Sequence, residues 1–267
     1  MAIPPPRPGA AALITGASSG IGAELARQLA ARGHDQILVA RRRERLEELA
    51  AELRDRHGRR IEVLVCDVAD AADRDRLPAE VEGLGLEVDV LILSAGFGMG
   101  GPFIKQDPER IQQMVRTNLE STMMVSRELL PGMVERRSGA LMVVSSYAGG
   151  QPMPHFGAYA ATKAGATSFA EMLSCELEPY SITVTALCPG GVWTEFAEVA
   201  GMEHNAEEVP KALMIDADEC ARQAIEGLEA GKRIVMPKAA VRAFSFFGKH
   251  SPRRVWLRLC RRMMREA

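Results

Sequence analysis

Ala11-Ala12-Leu13-Ile14-Thr15-Gly16-Ala17-Ser18-Ser19-Gly20-Ile21-Gly22 is the stretch that decides the fold. Its four leading apolar residues read as a buried strand, its glycines as a tight turn, and Ile21 to Arg32 as a helix. A strand that turns through glycine into a helix offers close backbone approach, free N–H groups and the positive end of a helix dipole, which together suit a phosphate. The spacing differs from the more familiar G-x-G-x-x-G. A tight turn with no ligand is the plainer alternative.

Working outward, strands are predicted at Gln36–Ala40, Ile61–Val65, Val88–Leu93, Ala140–Val144 and Ile182–Leu187, with a short seventh at Ile234–Met236. Helices are predicted at Arg45–Arg56, at Pro108–Glu135 with a bend at Pro131, and at Ala158–Leu177. Nearly continuous apolar strands with intervening helices imply a parallel sheet covered on both faces. The expected fold is α/β: a single doubly wound domain with a parallel sheet of about seven strands. The chain has 267 residues, 47% hydrophobic and 25% charged, an ordinary globular composition with material for a sizeable core.

Five scattered cysteines show no metal-ligand spacing, so no metal is expected and the thiols read as reduced. Met1–Ala10 is Pro-rich and lacks the apolar stretch of a signal peptide, and no apolar run reaches membrane-spanning length. A cytoplasmic protein is expected. The charge is uneven. From Gly231 to Ala267 there are eleven Lys/Arg and one acid, against 22 basic and 34 acidic residues elsewhere.

Tyr159 and Lys163 stand four apart in a predicted helix and so share a face. An ammonium beside a phenol favours the phenolate and draws a pKa of about 10 toward neutrality, which makes a usable proton donor. On its own such a pair is more often a surface neighbourhood.

Further motifs change that weighting. Thr15 to Gly22 matches T-G-x-x-x-G-x-G, and Cys66-Asp67-Val68 follows the third strand. Thr117-Asn118-Leu119 lies in the long helix, and Ser146 precedes Tyr159 by thirteen residues. Pro189-Gly190-Gly191-Val192-Trp193-Thr194 follows the sixth strand. In this order, over residues 10 to 240, the chain resembles the short-chain dehydrogenase/reductase family, with its Rossmann-type fold.

The resemblance implies that Tyr159 delivers a proton to a carbonyl oxygen held by Ser146. Lys163 would lower the tyrosine pKa and bind the nicotinamide ribose, and Asn118 would hold a water linking Lys163 to solvent. It implies cofactor contacts from Gly16, Ser18, Ser19, Gly20, Ile21, Gly22, Val68, Ala95, Gly96, Pro189, Gly190, Val192 and Thr194, with Asp67 at the adenine. One departure is Leu93-Ser94-Ala95-Gly96, where the family usually has N-N-A-G.

Ala40 ends the second strand where an NAD-selective site carries an acid, and Arg41-Arg42-Arg43 follows. Arg41 can grip a 2′-phosphate with a charge-assisted fork, so NADPH is the expected cofactor. Phe97, Met99, Met153, His155, Phe156, Trp193 and Phe196 lie on loops at strand ends and read as an apolar substrate pocket, with 195–216 as a lid.

Residues 1–240 are expected to form the catalytic domain and 241–267 a basic amphipathic extension. In its predicted helix, Pro252–Met264, Trp256, Leu259, Cys260 and Met263 share one stripe and Arg254, Arg258, Arg261, Arg262 and Arg265 largely the other. Such a helix can lie on the inner face of an anionic membrane, or pack on its own domain or on a sister subunit.

A looser resemblance links the arginine run, Leu130–Arg136 and the basic tail to an actinobacterial branch containing mycolate-type reductases of 3-oxo lipids. The expected function is NADPH-dependent reduction of a hydrophobic, 3-oxoacyl-type ketone. A broad ketone or steroid/alcohol dehydrogenase, and a non-catalytic NADPH sensor or scaffold, are the alternatives. A homodimer or homotetramer is expected, and no nucleic-acid partner.

Overall fold

Seven strands lie in one parallel sheet: β1 (Ala10–Thr15), β2 (Asp35–Ala40), β3 (Ile61–Val65), β4 (Glu87–Leu93), β5 (Gly139–Val144), β6 (Ile182–Leu187) and, out of sequence, β9 (Ile234–Val235). Their order is β3-β2-β1-β4-β5-β6-β9. This computed structural model describes residues 3–201 and 211–263. Successive strand residues point to opposite faces, so each apolar run feeds two cores. Ile14, Leu38, Ile92 and Met142 face α1 (Gly20–Ala31) and α2 (Arg43–His57). Leu13, Ile37, Leu91 and Leu141 face α3 (Ala71–Gly83), α5 (Ser121–Arg136) and α6 (Gly157–Glu176).

The long helix predicted from Pro108 is broken, but not at Pro131. It comprises α4 (Pro108–Val115), a π-turn at Arg116–Glu120 and α5, which runs on through Pro131. A π-turn spends one extra residue and turns Asn118 inward.

A second, two-stranded parallel ladder joins β7 (Gly191–Trp193) to β8 (Met214–Asp216) and clamps both roots of the predicted lid. The lid's outer part, 202–210, lies outside the described residues. A short helix, α7 (Phe196–Val199), opens the lid, and α8 (Ala217–Glu229) returns along the first core.

The extension forms α9 (Ala239–His250) and α10 (Arg253–Met263); Met264, the end of the predicted helix, Arg265 of its basic stripe and the Met263 side chain of its apolar stripe lie outside what is described. Trp256 and Cys260 are buried against the chain's own domain, whereas Leu259 is exposed. Trp256 Nε1 donates to Pro152 O at 3.1 Å and its ring meets Phe244 edge-on, which in turn meets Tyr147. The apolar stripe is therefore only partly as predicted, and its tryptophan is committed inward. Among the described residues no helix is long and apolar enough to cross a membrane.

At the amino-terminal end of the sheet, the buried Asp89 carboxylate is held by Arg7, at 2.7 and 2.9 Å, and by Arg136, at 3.2 Å.

Candidate active site

The predicted site residues gather at the carboxyl ends of the strands, around the point between β1 and β4 where the strand order reverses. Open α/β sheets bind ligands there. The glycine turn links β1 to α1. A Cβ on Gly22 would stand 2.3 Å from Gly16 O, so only glycine lets the turn close this tightly.

Ser19 caps α1 without a side-chain bond to the helix, and the first turn carries no acid, so the N–H groups and dipole are left for an anion. The Ser19 hydroxyl instead accepts from Arg42 at 2.6 Å, and Ser18 Oγ accepts from the same guanidinium at 3.1 Å. This donor set fits the phosphates of a dinucleotide. Arg42, which the motif reading did not single out, is thus the arginine on the turn. Arg41 leans 3.7 Å from Asp67 instead.

Val68 is buried beside Asp67 and its carbonyl accepts from Arg74 at 2.7 Å. At the end of β4 the missing amide is answered by Thr15, whose hydroxyl accepts from the N–H of Ser94 at 3.1 Å and of Ala95 at 3.2 Å. Gly96 leaves the space in which Asn118 and Lys163 approach each other. Pro189 accepts from Tyr147 N at 3.0 Å, and Thr194 lies against Gly20, so the segment after β6 closes over the turn.

Asn118 is buried and binds both backbone groups of Phe97. Its Oδ1 accepts from Phe97 N at 3.0 Å, and its Nδ2 donates to Phe97 O at 2.8 Å and to Thr162 Oγ1 at 3.1 Å. Lys163 Nζ donates to Val144 O at 2.8 Å and stands 5.9 Å from the centre of the Tyr159 ring. Ser146 caps the turn after β5, its Oγ accepting from Ala148 N. All four residues are buried.

The electrostatics differ from the expectation. Burial pushes the Tyr159 phenol above its ordinary value, and the Ser146 hydrogen bond opposes that rise. Burial likewise brings Lys163 down to about 8. In the protein alone, desolvation of both groups outweighs the pull of the ammonium on the phenol.

Of the predicted substrate residues, Met99 is buried in an apolar cluster with Tyr159, joined by Phe97, Met153, Phe156 and Phe196. Phe196 stands 5.5 Å from the Tyr159 ring and Phe156 6.2 Å. A Cβ on Gly98 would meet the Phe196 ring at 2.5 Å, so a glycine there is what admits it. Trp193 is half exposed, and His155 is exposed with a positive φ of 65°; both lie outside this cluster. Ile111 and Met114, unforeseen, supply its α4 wall. Their i, i+3 spacing in a helix leading to Asn118 is the signal that marks them.

Comparison with known proteins identifies the family. Residues 10–205 match the family model described as short chain dehydrogenase. A putative ketoacyl reductase of granaticin polyketide synthesis from Streptomyces violaceoruber is 40% identical over 190 residues, 70% of this chain and 69% of that protein. A very-long-chain 3-oxoacyl-CoA reductase from Anas platyrhynchos is 34% identical over 72% of this chain, which spans only 62% of that enzyme. A short-chain dehydrogenase from Sphingobium yanoikuyae, solved in complex with NADPH, superposes with a TM-score of 0.81 at 33% identity, over 90% of this chain and 92% of that one. On these grounds the chain belongs to the short-chain dehydrogenase family of oxidoreductases.

Proposed function

We propose that the protein reduces a hydrophobic ketone with NADPH, the ketone being of the 3-oxoacyl type. The observation that carries this reading is the Tyr159 phenol set in a wall of methionine and phenylalanine, with Ser146 beside it and Lys163 beneath. An apolar acyl chain gains about 0.8 kcal/mol per methylene from such a wall, which a small polar keto acid cannot. The names of the Streptomyces relative, a putative ketoacyl reductase, and of the Anas relative, a very-long-chain 3-oxoacyl-CoA reductase, support the same substrate class. The donors on the glycine turn and the NADPH complex of the Sphingobium relative support the cofactor.

Bound NADPH would supply the hydride. The chain's part is to orient the carbonyl through Ser146, to donate the Tyr159 proton to its oxygen, and to hold the ribose side of the cofactor through Lys163. Asn118 fixes the Phe97 backbone and the floor on which Lys163 sits.

Tyr159→Phe is the test, with a panel of 3-oxoacyl thioesters and small ketones. The variant should bind NADPH as the parent does and lose about 100-fold or more in turnover. Unchanged turnover would refute Tyr159 as the acid, and equal activity on small ketones would favour a broad alcohol dehydrogenase. Exposed Val115, Met124 and Met172, on or beside the long helices, support a homo-oligomer, which light scattering measures.

A further inference from the structure

Glu195, the first residue of the lid, reaches across the cofactor groove to α2. Its carboxylate pairs with Arg42 at 3.0 Å through one oxygen and with Arg45 through the other. Arg42 is the same side chain that donates to Ser18 and Ser19 in the glycine turn. A carboxylate from a segment 153 residues away in sequence thus sits on the donors that a phosphate on the adenosine ribose needs. The two arginines hold the Glu195 carboxyl below its ordinary range, so it is an anion at neutral pH. The next residue, Phe196, lies over the Tyr159 ring, and its N–H is fastened to Thr194 Oγ1 at 3.2 Å. One turn of chain therefore covers the phosphate-binding arginines at one end and the catalytic phenol at the other.

We propose that Glu195 is a selectivity-determining residue: its carboxylate competes with the 2′-phosphate of the dinucleotide for Arg42 and Arg45. A dinucleotide that carries the phosphate displaces Glu195 and loosens the Phe196 turn from Tyr159, whereas one with a bare ribose does not. The proposal rests on the dinucleotide reading given above. Both partners are partly exposed, so the latch is weak and easily exchanged, which a competitor of this kind requires. A binding-competent fraction reduced by the latch weakens apparent affinity by the same fraction.

Calorimetric titration of the full chain tests this with NADPH, NADH, adenosine 2′,5′-bisphosphate and AMP. Glu195→Gln should tighten NADPH and the bisphosphate by about 2- to 10-fold and leave NADH and AMP unchanged. In an Arg42→Ala background the gain should shrink, because one of the contested donors is gone. Equal tightening of NADPH and NADH, or no tightening of either, overturns the latch alone. A parent chain that binds neither dinucleotide overturns the functional reading, and the latch with it.

Discussion

Asn118 satisfies two backbone groups with one amide, and the fit depends on a single π-turn. Asn118→Ala strands the part-buried N–H and C=O of Phe97. Each unmet group costs about 1–3 kcal/mol, so a loss of about 2–4 kcal/mol in urea unfolding is expected, together with reduced turnover. A change below about 0.5 kcal/mol would mean that the Phe97 groups find other partners. Asn118, Ser146, Tyr159 and Lys163 were legible in the sequence as a candidate set, through their residue types and their order. Arg42 was not, because neighbouring arginines in a run of three are indistinguishable until the backbone aims one of them. The raised phenol was also hidden, since desolvation depends on everything packed around Tyr159 and not on its i+4 neighbour alone.

At the scale of elements, the six long strands were legible as apolar runs, while α3, α8 and α9 were not read. The buried face of α8 is built from Cys220, Ala221 and Ala224 as much as from Ile225 and Leu228, and small residues give little periodic contrast. Helix α3 carries Pro78 within it and is dominated by charge. The two tail helices rest on the connection between Ser146 and Tyr159. Trp256→Ala should cost about 3–5 kcal/mol as a large buried aromatic removed. Trp256→Phe, which keeps an aromatic ring but loses the indole N–H and its bond to Pro152, should cost about 1 kcal/mol or more. If the tail steadies the substrate loop, Trp256→Phe raises KM more than it lowers kcat; a melting shift with unchanged kinetics would make the contact structural only.

For the whole molecule, buried thiols and a buried lysine pull stability in opposite directions. Lys163 sits at about 8 against an ordinary 10.5, so the folded chain gives up that proton first and stability rises with pH between those values. Cys66 and Cys188 are pushed up to about 11 and Cys220 to about 12, against an ordinary 9, each by burial. There the unfolded chain loses protons first, and stability falls from pH 9 upward. The raised thiols, joined above pH 10 by the raised Tyr159 phenol, outnumber the lysine, so urea midpoints should rise slightly from pH 8 to 9 and then drop. A midpoint still climbing at pH 10 would contradict this balance. The clamp of Arg7 and Arg136 on Asp89 lies at the end of the sheet opposite all of these site residues. Selection for a new substrate and selection for heat resistance therefore act on separate ends of one sheet: variants gathered at Asp89 and its arginines should combine freely with variants gathered around Tyr159, without the trade-off that arises when both demands fall on the same side chains.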